Sequence, residues 1–253
     1  MDNSIKGNAD NALVRVISDA LNAFYNALLK KIETIDLKDV LKHKNPYLYR
    51  AKDMKTAEDI VDAILAAYVS SSEETIFGNE FFEPIVIALS GGVKAQATGI
   101  DVMIEDRENN TVKAIAVKSG TNVFNADSKK RQNENFMEGA SRARQAKMAY
   151  DAVIGYCYGR KSQKKSKNAK PVIYRELAGQ DFWHEITGDP EFYKKIIDYM
   201  GNLPEQKLKE YKSKYSQARQ RMLEGFKKDF CTSDGKIDWS KLLVFNSGSQ
   251  DSN

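Results

Sequence analysis

Asp101 and Lys118 are the two residues whose types and spacing best suit chemistry. They lie in the stretch Gly99 to Gly120, GIDVMIEDRENNTVKAIAVKSG, where two alternating runs, Ile100 to Glu105 and Val112 to Val117, flank a polar turn centred on Asn109 and Asn110. Asparagine tolerates the positive φ of a tight turn, so the pattern predicts a β-hairpin. A turn symmetric about the Asn109–Asn110 bond pairs Asp101 with Lys118 across the strands and puts Met103 and Ala116 on one face. Ile100, Val102, Ile104, Ile115 and Val117 are expected on the other. An acid and a lysine at adjacent strand ends suit phosphodiester hydrolysis: the carboxylate can hold a divalent metal, and the ammonium can position the attacking water or the scissile phosphate. The same pair also reads as an ordinary cross-strand ion pair, worth roughly 0.2–1 kcal/mol.

Further carboxylates and cations lie within reach of such a site in sequence. Glu83, in FGNEFFEPIVIAL, stands in an apolar context where a carboxylate is costly to bury unless it is paired or holds a metal; it reads equally as a residue of the solvent stripe. Glu134 and Glu138 are four residues apart on one helical face. Lys129, Lys130, Arg131, Arg142, Arg144 and Lys147 give the same segment a basic face that can meet phosphates, although charged helix faces are usually just solvated. Arg160 to Lys170, RKSQKKSKNAK, contains Arg160, Lys161, Lys164, Lys165 and two further lysines with no acid. That tract is expected to be a loop that orders on nucleic acid, or failing that a solubilising loop.

The elements that must position these residues are mostly helical. Apolar residues at Leu13, Val16, Ile17, Leu21, Phe24, Leu28 and Ile32 predict one long amphipathic helix from Leu13 to Ile35, after a frayed start over residues 1 to 10. Asn45-Pro46 breaks the next segment, and a second helix is expected from about Thr56 to Val69. Ser71 with Glu74 forms a capping-box pattern for a third helix to about Leu89, in which Pro84 predicts a kink. Gly91-Gly92 then turns the chain toward the hairpin. A helix over 128–150, a buried strand over Ala152 to Tyr158 and a short strand over Val172 to Tyr174 follow. Helices are predicted at Gln180 to Thr187, Glu191 to Met200 and Glu205 to about Phe230, before a docking segment with Trp239, Leu242, Leu243 and Phe245.

Composition narrows the classes. The 253 residues are 42% hydrophobic and 29% charged, enough to bury a full core. A net charge of +4 means that any preference for an anionic partner comes from where the bases cluster. Cys157 and Cys231 form no metal-ligand spacing and suit a reducing cytoplasm. His43 and His184 are too separate in sequence to suggest a histidine dyad or zinc site. No apolar run approaches the length of a membrane span.

Taken together, NPYLYRAK, SSSEETIFGNEFFE, GID, AVKSGTN, YCYGR, GQDFWHEITGD and DGKIDWSKLLVFN, in that order from about Lys44 to Asn246, resemble the PD-(D/E)XK type II restriction endonucleases, and within them the PmeII-like group. The resemblance implies an α/β fold: a restriction-endonuclease-like core with a mixed central sheet flanked by helices, plus a helical annex at each end. It implies that Asp101 is the metal-binding aspartate, Lys118 the signature lysine and Glu83 the helix carboxylate often found beside them. The signature's second acid, two residues before the lysine, is Ala116 here. Glu83 is expected to compensate first, Glu134 second and Asp127 third. Ala116→Glu is expected to be tolerated if that ligand position is vacant.

The expected organisation is an N-terminal helical region at 1–70, a nuclease core at 71–175, a C-terminal helical region at 176–245 and a disordered tail at 246–253. The resemblance implies Mg²⁺-dependent, sequence-specific cleavage of double-stranded DNA to 5′-phosphate ends. It also implies a cytoplasmic homodimer, with a cognate methyltransferase in the same system but not bound. Two alternatives stay open: a structure-specific repair or recombination nuclease of the same fold, and a non-catalytic DNA-binding protein.

Overall fold

The hairpin forms, but its turn takes four residues rather than two. In the computed structural model, which describes residues 2–161 and 171–248 (of 2–10, the backbone alone), the elements run as follows. The first part is helical: α1 (Asp2–Glu33), α2 (Leu37–Leu41), α3 (Pro46–Ala51), α4 (Ala57–Phe77), a π-helical turn (Gly78–Phe82) and α5 (Glu83–Ser90). Then come β1 (Val93–Lys94), β2 (Val102–Asp106), β3 (Thr111–Lys118), α6 (Ala126–Gln145), β4 (Ala149–Tyr156) and β5 (Tyr174–Ala178). The chain closes with α7 (Gln180–Thr187), α8 (Phe192–Met200), α9 (Leu203–Phe230) and α10 (Trp239–Ser247).

The strands form one mixed sheet in the order β1-β2-β3-β4-β5, antiparallel across β1-β2-β3 and parallel across β3-β4-β5. This is the α/β architecture expected. Between β2 and β3, Asp106 stands opposite Thr111 and Val102 opposite Ile115. Asp106 fixes the turn by accepting from the Asn109 N–H at 3.0 Å, and of the two asparagines Asn110 alone has positive φ, at 52°. The register is therefore offset by two from the symmetric expectation. An offset of two leaves side-chain faces unchanged, because alternation has period two. Ile100, which precedes β2, is the exception. It packs with Ala114, Ala116, Phe136, Ile154 and Tyr156, on the face covered by α6.

On the other face, α5 packs on β2, the π-helical turn on β3 and α7 on β5. Gly155 of β4 permits the approach of α7, since a Cβ there would stand 2.0 Å from the Phe182 ring. Trp183, 1% exposed, packs with tilted rings against Phe82, Phe182 and Phe192 and donates its indole N–H to the Cys157 carbonyl at 2.8 Å. A ring of that size can be buried so fully because its one polar atom is satisfied.

α7 is also fastened electrostatically. Arg175 reaches Asp151 at 2.8 Å and Glu185 at 2.7 Å, and Lys113 joins Glu185. The Arg175 hydrogen bond, opposed by burial and aided by Lys113, holds the Glu185 carboxyl down to about 2. Because the folded value lies below the unfolded one, the stabilisation is complete above about pH 4.5 and is lost as pH falls toward 2. Glu185→Gln is expected to cost on the order of 2 kcal/mol at pH 7, a deficit that closes as pH is lowered through that window. Urea titrations at pH 7 and at pH 3 measure it; a deficit independent of pH would assign the loss to packing.

Three local expectations are corrected. α4 continues through Ser70–Glu74 without interruption, so the Ser71/Glu74 pattern caps nothing; the neighbouring Ser72 hydroxyl instead bonds back to the Tyr68 carbonyl at 2.8 Å, as serine does inside a helix. Helix α6 ends at Gln145, Lys147 takes positive φ at 59°, and β4 begins at Ala149, earlier than expected. Helix α1 begins at Asp2, so the frayed start is helical in backbone. Of the tract expected as a loop from Arg160 to Lys170, residues 162–170 lie outside the described residues, as does the end of the tail at 249–253. α10 itself runs through Ser247, and Asn246 donates to the Leu41 and Lys44 carbonyls at 2.9 Å each.

The chain divides into two compact units. One comprises Met1–Phe24 with Thr75–Leu203 and holds the sheet; the other, helical, comprises Tyr25–Glu74 with Pro204–Asn253. In the helical unit, Asn45 caps α3 by accepting from the Leu48 N–H at 3.1 Å with Pro46 in the first turn, and Arg219 of α9 forks onto Asp62 of α4 at 2.6 and 2.9 Å. No described helix is long and apolar enough to cross a membrane.

Candidate active site

The hairpin brings Asp101 and Lys118 together, by a diagonal rather than a direct pairing. The paired ladder begins at Val102, opposite Ile115, and the Asp101 N–H just before it also donates to the Ile115 carbonyl, at 2.9 Å. The Asp101 side chain then leans along β3. Its Oδ2 accepts from the Val117 N–H at 2.7 Å and from the Lys118 ammonium at 3.0 Å. Lys118 also donates to the Val117 carbonyl at 2.9 Å. A backbone donor and a backbone acceptor thus fix both side chains, each about one-quarter exposed. Among the described residues no hydrogen bond reaches Asp101 Oδ1.

Glu83 stands where the helix changes pitch. Pro84 cannot donate to the preceding turn and its ring crowds it, and the chain answers with the π-helical turn, closed by the Glu83 N–H on the Gly78 carbonyl. The Glu83 residue is 9% exposed among Phe81, Phe82, Ile85 and Val86, and its carboxylate is paired at 2.9 Å with Lys94, an ammonium that is 74% exposed. Lys94 faces both acids: the Glu83 hydrogen bond and charge, then the charges of Asp101 and Glu80, hold it above its ordinary value. The sequence reading missed Lys94, because a two-residue strand after Gly91-Gly92 carries no alternation to reveal it. Glu134 does not join this group. It is turned to solvent on α6, 3.8 Å from Lys130. Among the described residues no three of His, Cys, Asp and Glu gather as a metal-holding group.

A comparison with protein families matches residues 11–224 to the type II restriction endonuclease EcoO109I family. The chain belongs to that family. The match spans both the hairpin with Asp101 and Lys118 and the helix with Glu83, and at family level it identifies a type II restriction endonuclease, a nuclease that acts on DNA. A search of curated proteins returns no match.

In this endonuclease the expected DNA-contacting residues fall into three groups. Lys130, Arg131 and Arg160 are exposed. Lys129 and Lys161 converge instead on Glu176 of β5, at 3.1 and 3.0 Å from its Oε1. Lys164 and Lys165 lie outside the described residues. Glu176 was the second residue missed, since the strand was expected to end at Tyr174. The alternation of YRELA, with Tyr174 and Ala178 buried against α6, is the signal that places Glu176 on the same face.

Proposed function

We propose that the protein is a PD-(D/E)XK endonuclease, PmeII-like as the sequence motifs suggest, that hydrolyses double-stranded DNA at a specific sequence with Mg²⁺. Its products are 5′-phosphate and 3′-hydroxyl ends. The observation that carries this is the Asp101–Lys118 pair, fixed by Val117 and presented at adjoining strand ends. Lys118 holds and orients the scissile phosphate or the attacking water, and Asp101 restrains the lysine in turn. The hard oxygens of Asp101 and Glu83 fit Mg²⁺, which is usually held by one or two carboxylates and several waters. Oδ1 of Asp101 is free of hydrogen bonds among the described residues, and Lys94, mostly exposed, can leave Glu83 at little cost. When bound there, the cation supplies activation of water and stabilisation of the phosphorane charge.

Lys129, Lys130, Arg131, Arg160, Lys161, Lys164 and Lys165 are the proposed contacts to the DNA backbone, and the nuclease core is proposed to occupy residues 71–175 between helical regions at 1–70 and 176–245. A cytoplasmic homodimer, each subunit cutting one strand of a palindromic site, and a separate methyltransferase belong to the same reading. Digestion of a sequenced plasmid with purified protein and Mg²⁺ tests it. Discrete fragments support site-specific cleavage, nicks or junction cutting support a repair nuclease, and intact DNA supports a binding protein.

Glu83→Gln keeps size and hydrogen bonding but removes the charge. Cleavage is expected to fall sharply and to recover in part at high Mg²⁺ or with Mn²⁺, whereas Glu134→Gln is expected to have little effect. The reverse order in metal titrations of cleavage would move the second carboxylate to α6.

A further inference from the structure

Glu176 is given more positive charge than one carboxylate needs. Its Oε1 accepts from Lys161 at 3.0 Å and from the phenol of Tyr156 at 2.7 Å, while Lys129 donates to Oε2 at 3.3 Å and lies 3.1 Å from Oε1, so that three separate segments of the chain supply the donors. Lys161 also lies over the Tyr156 ring, 4.6 Å from its centroid. Burial opposes ionisation of Glu176, but the hydrogen bonds from Tyr156, Lys161 and Lys129 outweigh it and hold its carboxyl below the usual range. Burial, and then the bond to Glu176, push the Tyr156 phenol up, so the phenol donates and the carboxylate accepts.

Two ammoniums within hydrogen-bond distance of one oxygen repel each other, and they stay together only while an anion sits between them. Neutralising Glu176 takes one lysine. The second is an excess positive charge, in an arrangement that suits the oxygens of a phosphate. Its location is also informative. Tyr156 is the β4 neighbour of Lys118 in the parallel ladder, about one strand spacing of 4.8 Å away, so the cluster flanks the Asp101–Lys118 pair at the carboxyl ends of the parallel strands.

We propose that Lys129 and Lys161 form a phosphate-binding pair for a nucleotide next to the scissile one, and that Glu176 occupies the pair in the free protein as an internal competitor. The inference rests on the DNA-cleaving function proposed above. DNA binding then exchanges one anion for another: the backbone phosphate takes the two ammoniums, and Glu176 keeps the buried Tyr156 phenol. Such an exchange penalises loose, non-specific association, because every phosphate that enters must displace a carboxylate held covalently in place.

The test is metal-free binding of a fluorescent duplex of mixed sequence, followed by anisotropy from 50 to 300 mM salt. Glu176→Gln retains an acceptor for Tyr156 and removes the competing charge. It is expected to bind roughly three- to tenfold tighter at low salt, and the gain is expected to disappear when Lys129→Gln and Lys161→Gln are added. Unchanged or weaker binding by folded Glu176→Gln overturns the proposal. If that variant does not fold, Lys129→Gln with Lys161→Gln in the wild-type background decides: a loss of about tenfold or more, with a salt dependence flatter by up to about 0.9 for each phosphate no longer neutralised, supports the pair. Unchanged affinity reduces it to a structural ion cluster. Wild-type protein that binds no duplex at any salt would instead overturn the function on which the inference rests.

Discussion

Asp101→Asn and Lys118→Ala are each expected to lower DNA cleavage by on the order of 10³-fold or more, while duplex binding is retained. The asparagine oxygen can still accept from the Val117 N–H that now meets Asp101 at 2.7 Å, so the hairpin keeps its shape and the loss is one of charge. Lys118 is one-quarter exposed and bonded to Asp101 and to the Val117 carbonyl; its removal leaves a carboxylate with its backbone donor and access to water. Neither change opens a core cavity. Asp101→Ala is expected to bind metal-free DNA somewhat tighter than wild type, because one negative charge facing the phosphates is gone. The double substitution should cost little more than either single one, as groups acting as a unit are not additive. Single-turnover cleavage with binding measured in parallel checks this, and near wild-type cutting by either single variant would sink the assignment.

How far the sequence led to that pair depended on periodicity. Alternation between residues 100 and 118 identified the strands and the faces of Met103 and Ala116, and it survived a wrong register because the error was an even number of residues. It failed at Ile100, where the chain has not yet entered the ladder and alternation has no authority. The Ser71/Glu74 pattern misled for a related reason: a capping box acts only where a helix starts, and α4, its apolar residues buried through Val69, is already under way there. Pro84 was read correctly as a disturbance, though not as the π-helical turn that seats Glu83. Lys94 and Glu176 were illegible as site residues because their roles come from partners distant in sequence, Glu83 for one and Lys129 for the other. A lysine beside two glycines and a glutamate in a five-residue strand look the same whether or not an opposite charge waits across the fold. The family membership, by contrast, was legible from ordered motifs at the level of restriction endonuclease.

The absent acid at Ala116 gives the other large effect, because burial at this position argues against the vacancy that tolerance of Ala116→Glu requires. Position 116 does share a face of β3 with Lys118, two residues on, as a signature acid would. Yet Ala116 is 0% exposed and packs with Ile100, Phe136 and Ile154 under α6, so a longer side chain meets filled space before it meets solvent or a cation. Overpacking costs about 1–3 kcal/mol, and an ionised carboxylate without a partner costs more until its pKa rises and it takes up a proton. A total of about 3 kcal/mol or more lowers Tm by roughly 6–12 °C in a chain of this size, and approaches the whole stability of a marginal domain. The pH dependence separates the two contributions. An introduced carboxyl whose folded pKa lies above its unfolded value near 4.3 destabilises least at low pH and increasingly as pH rises through the folded value, whereas steric strain is constant. Ala116→Gln has nearly the same volume and no charge, so it should show the constant part alone. Thermal unfolding of both variants between pH 4 and pH 8 measures the difference. If Ala116→Glu keeps the wild-type Tm and binds Mg²⁺ more tightly, then the α6 face at position 116 opens to the site, and the missing ligand was lost from this chain without the core closing over it.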